Sequence, residues 1–210
     1  MLDLQPMAET VLAQELANGR ARRPTALDAF KLARRRFVAG ERIEMQSLAQ
    51  ELGVNRVTLH RWVGSRDLLL GEVLWSLARP TLDGARARTV TKGSDPFVTA
   101  RAGGQAVADA IEGFLADVLA APYMRAFLER EPEIALRILT TTRSSMQAKL
   151  VAHVRELIAE EMGDRALALG LDDLAYLVIR ISESFTYVDI IAGGRPDPHK
   201  AGQAIAALLA

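Results

Sequence analysis

Residues 47–69 read SLAQELGVNRVTLHRWVGSRDLL, and the spacing inside this stretch decides the fold. Leu48, Ala49 and Leu52 fall on one face of a short helix, and Leu59, Trp62 and Val63 fall on one face of a second, as a period of 3.6 residues requires. The two faces can share a core. Ala49 is small enough to let the helices cross closely, and Gly53 stands where the chain must turn sharply and a positive φ is favoured. Val54 plugs that turn from beneath. Asn55 is a good N-cap, so Arg56, Val57, Thr58, His60 and Arg61 occupy the first turns of the second helix, several of them facing outward. Helix, turn and outward-facing helix in this order form a helix-turn-helix, whose second helix enters the major groove of DNA.

The flanks complete a small domain. Upstream, Leu27, Phe30, Leu32, Ala33 and Phe37 make the apolar side of a helix that carries Lys31, Arg34, Arg35 and Arg36 on its other side. Downstream, Gly64-Ser65-Arg66-Asp67 forms a loop and cap before Leu68, Leu69, Leu70, Val73, Leu74 and Leu77. On Leu48, Ala49, Gly53, Val54, Thr58, Leu59, Ser65, Leu68 and Leu69, with Trp62 at an aromatic and Arg66 at a basic position, the chain resembles the TetR/AcrR family of transcriptional repressors. The family carries a Tyr where this chain has His60, and that Tyr is similar to a phosphate anchor. A histidine there still donates to phosphate, with a charge that depends on pH near neutrality.

Charge is divided by region. From Arg20 to Arg66 there are eleven basic residues against four acidic ones, and the rest of the chain carries 15 against 22, although the whole is neutral. A basic head on an acidic body suits a protein that meets phosphate at one end only. The DNA-contacting set read from the sequence is Arg23, Ser47, Asn55, Arg56, Val57, Thr58, His60, Arg61 and Arg66. Residues 1–24 form an extension: Leu4, Met7, Val11, Leu12 and Leu16 recur at helical spacing, Asn18-Gly19 ends that helix, and a basic link runs to Pro24. The link is either an arm for the minor groove or a tail whose arginines add nonspecific attraction.

The expected fold is all-α, with about nine helices besides an extra one at the N-terminus. A helix-turn-helix domain occupies 25–78, and a ligand-binding and dimerisation body occupies 79–210. Pro80 and the Gly84–Pro96 segment look like the seam. Body helices are expected from Phe97 or Gly104 to Ala121, from Pro122 to Arg130, from Pro132 to about Met162, from Leu171 to Ala192 and from Pro198 to Leu209. The last two offer Leu174, Leu177, Val178, Ile181, Phe185, Val188, Ala201, Ala204, Ile205 and Leu208, either as a dimer surface or as ordinary core; the resemblance implies a homodimer.

Polar residues in apolar helices mark a pocket, because each must be satisfied or await a ligand. Thr141, Arg143, Met146, Arg180, Glu183 and Tyr187 are candidates, with Trp75, Phe114, Tyr123 and Phe127 as possible walls. Arg180 and Glu183, three apart, also suit a plain surface pair. The resemblance implies a small-molecule effector and double-stranded operator DNA as partners. Within the family, HRWVGSRDLLLGEVLW is similar to regulators of quorum-signal lactone degradation, which implies a lactone-like or acyl effector and release of a repressor.

No enzyme, cofactor or metal is expected. His60, His153 and His199 lie far apart, there is no Gly-x-Gly-x-x-Gly or Gly-x-Ser-x-Gly motif, and the chain has no cysteine. No long uncharged apolar run or signal pattern appears, so the expected compartment is the cytoplasm. A helical small-molecule binder without DNA affinity, and a helical enzyme, are the other two readings.

Overall fold

The computed structural model describes residues 23–93, 104–163 and 169–210. Among the described residues the fold is all-α, with eleven helices and no strand. The expected N-terminal helix and basic link up to Arg22 lie outside them. Arg23 is exposed.

Three short helices build the head: α1 (Ala26–Val38), α2 (Met45–Glu51) and α3 (Arg56–Val63). Thr25 and Asp28 start α1 with a reciprocal capping box, the Thr25 backbone N–H donating to Asp28 Oδ2 at 2.8 Å and Thr25 Oγ1 accepting from the Asp28 backbone N–H at 3.3 Å. Gly53 turns the chain between α2 and α3 with φ +64°, in the left-handed region that a side chain would strain. Asn55 Oδ1 then accepts from the Thr58 backbone N–H at 2.7 Å, satisfying one of the free donors at the start of α3. Ala29, Leu32, Ala33, Phe37, Leu48, Ala49 and Leu59 are buried together, whereas Leu27, expected on the apolar side, is 55% exposed.

One helix ties this head to the body. α4 (Arg66–Gly93) is 28 residues long and passes through Pro80 and Gly84 without interruption, so the expected seam is absent as far as Gly93. Pro80 lies on the exposed side of the helix, where the carbonyl its missing N–H leaves free can reach water. Leu82 and Ala85 on the buried side keep the rod packed. α4 lends Leu69, Leu70 and Val73 to the head core and packs most extensively on α5 (Gln105–Ala120).

The rest of the body is α6 (Pro122–Arg130), α7 (Pro132–Thr140), α8 (Met146–Met162), α9 (Leu171–Thr186), α10 (Val188–Ala192) and α11 (Pro198–Leu208). Two helices expected as continuous are broken. The first breaks at residues 141–145, where hydroxyl side chains bind backbone groups in place of the helix ladder. Thr140 Oγ1 donates to the Leu136 carbonyl at 2.7 Å, and Ser144 Oγ donates to the Ile138 carbonyl at 2.9 Å and accepts from the Met146 N–H at 3.2 Å. The second breaks at Tyr187, which leaves helical geometry at φ −106°, ψ 18°. In the body core, α5 packs on α4 and α11, and α9 packs on α8 and α11.

Candidate functional site

The outer face of α3 carries Arg56, Val57, His60 and Arg61, all exposed, with Val57 78% exposed. Among the described residues neither Arg56 nor Arg61 makes an ion pair, so both guanidinium groups are free to meet another molecule. Two arginines of α1 are engaged internally. Arg36 pairs with Glu51 and donates to Ser47 Oγ at 2.7 Å, and Arg34 Nε donates to Ser76 Oγ at 3.1 Å. Ser47 therefore accepts a bond and keeps its own proton for a further acceptor. Thr58 is half-buried with its backbone N–H capped by Asn55, whose side-chain oxygen is used in that cap.

Arg66, expected on phosphate, points inward instead. Its Nε donates to the Ile43 carbonyl at 2.5 Å, and its Nη2 reaches both oxygens of Glu131 at 2.6 and 2.9 Å. Glu131 is buried between α6 and α7 and also meets Arg42 Nε at 3.3 Å. An aromatic cluster lies beside this bridge: the Phe37 ring of α1 stands 5.8 Å from Tyr123 and 5.3 Å from Phe127, both on α6. Phe127 thus belongs to the joint between head and body and not to the pocket.

The pocket lies deeper in the body, a cavity of about 50 Å³ enclosed by α4, α5, α6, α7, α8 and α9. Phe114, Tyr123, Met146, Glu183 and Tyr187 line it, as read from the sequence; Trp75, Thr141 and Arg143 do not. Trp75 instead packs edge-on against His153 at 5.9 Å, and Thr141 and Arg143 are exposed because the α7–α8 break turns them to solvent. Sequence reasoning missed Leu74, Leu77 and Thr81 from α4, Ile111 and Leu115 from α5, and Leu139, Leu150 and Ile179. Apart from Thr81 these are apolar helix residues, indistinguishable in sequence from filled core.

The polar end of the cavity comes from one helix terminus, Ser182, Glu183, Thr186 and Tyr187. The Ser182 and Thr186 hydroxyls each donate at 2.7 Å to the carbonyl four residues back. Burial pushes the Glu183 carboxyl up to about 7, with the paired Arg180 guanidinium only partly opposing it. Burial also pushes the Tyr187 phenol up, and the neighbouring Glu183 adds to that. Arg180 sits behind this group over the Tyr176 ring, 5.5 Å from its centroid, with its Nε buried and unbonded. The Gln147 amide satisfies both its ends when its nitrogen donates to the Thr140 carbonyl at 2.9 Å and its oxygen accepts from Arg180.

Residues 102–210 match the family described as tetracyclin repressor-like, C-terminal domain, which covers just over half of the chain. The chain belongs to the TetR family. The whole fold is also similar to the solved structure of the R. erythropolis transcriptional repressor QsdR from the TetR family, with a TM-score of 0.75 and 26% identity over 88% of this chain and 93% of that one. No curated protein matches the chain.

TetR-family membership makes this chain a ligand-responsive transcriptional regulator with a DNA-binding helix-turn-helix. Members of the family are regulators rather than enzymes; they bind operator DNA and effectors and form dimers. On the expected dimer surface, Leu174, Val178, Ala201 and Ile205 are at most 3% exposed within the single chain. They are corrected to intrachain core, spent on the packing among α5, α8, α9 and α11. Leu177, Ile181, Phe185, Val188, Ala204 and Leu208 remain half-buried, and Tyr176 and Ile191 nearby are 52% and 66% exposed. Among the described residues no group of His, Cys, Asp and Glu could hold a metal ion, and no helix is long and apolar enough to cross a membrane.

Proposed function

We propose that the chain is a dimeric repressor that leaves its operator when a small apolar or lactone-like effector enters the α4–α9 cavity. One observation carries this reading: α4 packs on α1 of the head, with Leu70 beside Phe37 and Ile43, and supplies Leu74, Leu77, Ala78 and Thr81 to the cavity wall. The head spans 25–78 and the body 79–210, with the boundary inside that helix. The likeness to the repressor QsdR supports the repressor role, and the lactone-like effector is the reading that the α3–α4 sequence suggests.

Arg56 and Arg61 contact bases or phosphates, His60 and the start of α3 contact phosphate, and Val57 offers an apolar surface to a thymine methyl. In a symmetric pair the two α3 helices must lie about 34–36 Å apart to enter successive major grooves. Half-buried Leu177, Ile181 and Phe185, with exposed Tyr176, supply the pairing face on α9. The cavity of about 50 Å³ holds roughly three to five waters at ~10–15 Å³ each, far below the ~300–1,000 Å³ of a loaded ligand pocket. Effector entry therefore forces walls apart, and the walls that move include α4 and Tyr123, which also touches Phe37 of the head. An effector that binds the widened body better changes the separation of the α3 helices, and affinity for a fixed operator falls.

A gel-shift series on DNA flanking the chain's own gene, repeated at rising salt, tests this reading. Binding must weaken with a log slope of roughly 0.9 per phosphate contacted. Absence of salt-dependent binding on that DNA refutes the regulator reading and leaves a helical small-molecule binder.

A further inference from the structure

Apart from the hydroxyls of Thr81, which donates to the Leu77 carbonyl at 2.8 Å, and of Tyr123, the polar groups of the cavity wall gather at the α9 terminus, and the hydrogen-bond state of that terminus is unequal. Ser182 and Thr186 have committed their protons to backbone carbonyls at 2.7 Å, so toward the cavity they can only accept. Glu183, when ionised, likewise only accepts, and its charge is matched by Arg180 behind it. Tyr187 differs. Its ring is 8% exposed and lines the cavity, yet its hydroxyl makes no hydrogen bond to any described residue. The hydroxyl oxygen is not sealed in the core but opens on the cavity, so its O–H is a donor held ready for an acceptor from outside the chain.

A guest in this cavity meets phenol donors on Tyr123 and Tyr187, and of the two it is Tyr187 that stands beside the acceptors on Ser182, Glu183 and Thr186, in a cluster whose formal charges cancel. A carboxylate would press a second negative charge and two more acceptor oxygens against Glu183. An ammonium group would offer only donors, leave Tyr187 unanswered and face the Arg180 charge. An ester or lactone carbonyl answers Tyr187 and leaves Glu183 facing acceptors. We infer that the cavity selects a neutral, apolar-chained molecule whose polar end both accepts a hydrogen bond from Tyr187 and donates one to Glu183, a carboxamide in its simplest form. This narrows the effector class and rests on the ligand-responsive reading above.

Melting of the full chain at about pH 8.5, where Glu183 with its pKa of about 7 is ionised, with hexanamide, methyl hexanoate, hexanoate or hexylammonium at equal concentrations tests the inference, because a ligand of the folded state raises the melting temperature according to its affinity. Hexanamide should bind about tenfold more tightly than methyl hexanoate, and the two ions should give no shift. Tyr187→Phe, which keeps the ring, should lower hexanamide affinity by about tenfold, the scale of one lost neutral hydrogen bond. Glu183→Gln should let hexanoate stabilise the chain, since Arg180 then lacks its counter-charge. A merely structural Glu183 would leave that specificity unmoved. Hexanoate or methyl hexanoate matching hexanamide on the wild type, an unchanged response in Tyr187→Phe, or no shift with any probe overturns the inference. The gel shift without any probe judges the regulator reading separately, so failure of one is not mistaken for failure of the other.

Discussion

Arg66 and Glu131 join the head to the body: the guanidinium at the start of α4 reaches both carboxylate oxygens at 2.6 and 2.9 Å, with side chains only 17% and 7% exposed. Removing one partner of a buried pair leaves an uncompensated charge, which typically destabilises by about 3–5 kcal/mol. Some water reaches Arg66, so Glu131→Gln should fall at the low end, about 3 kcal/mol. Urea unfolding measures this. The double change Arg66→Met with Glu131→Gln should be less destabilising than the sum of the single changes, and simple additivity would show that the two groups do not interact.

Arg56 and Arg61 are free on the face of α3. If Arg56 reads a guanine, Arg56→Ala costs about 1–3 kcal/mol of operator affinity and relaxes preference at one base pair. Binding assays on a panel of operator variants distinguish this from a phosphate contact, which would weaken every sequence alike and reduce the salt slope by about one. Folding stability should change by less than about 0.5 kcal/mol, since the side chain is exposed.

A methyl group on Gly71 would meet Ser144 Cβ at 2.5 Å, closer than two carbons can approach. Gly71 thus lets α4 pass under the α7–α8 break. Gly71→Ala should destabilise by about 1–3 kcal/mol through overpacking, even though alanine is the better helix former. Ser144→Gly in the same chain removes the clashing carbon and should restore part of the loss despite ending the Ser144 Oγ bonds. Thermal melting of the single and double variants checks this, and equal stability of Gly71→Ala and wild type would refute the close approach.

Burial lifts Glu183 from its ordinary 4.5 to about 7 in the folded chain. The folded state then holds a proton that the unfolded state has released, so this group's effect on stability is most favourable below about pH 4.5 and declines as pH rises to about 7. Glu183→Gln should flatten the fall in stability over that range. Urea midpoints measured across it for both chains test the claim, and an identical slope in the variant would show that Glu183 titrates normally.

The helix-turn-helix was legible in sequence because its signals are local: an N-cap at Asn55, a glycine at the turn, and apolar residues at helical spacing. The body was legible as helices but not as a cavity. Leu74 and Ile179 line an empty space while Val154 and Ile158 are likewise buried apolar helix residues, and no local pattern tells a wall facing a void from one facing a neighbour. Arg66 was misread because its partner Glu131 lies 65 positions away. The α7–α8 break falls inside a helix expected to be continuous from Pro132 to about Met162; the hydroxyl-rich run from Thr140 to Ser145, whose side chains compete with the helix for backbone groups, was the signal for it. Leu174 and Ile205 read equally well as interface or interior, since periodicity fixes the face and not what lies opposite.

Leu70 is sealed in the core beside Phe37 and Ile43 of the head, and Leu74, one turn along the same helix, borders the chamber. The relay from chamber to head is therefore as short as about 6 Å of rigid backbone, and it requires no chain of intermediaries. The surfaces contributed by α5, α8 and α9 can be recarved to admit a different chemical without touching that relay, so sensing and reporting are separable by substitution in this chain.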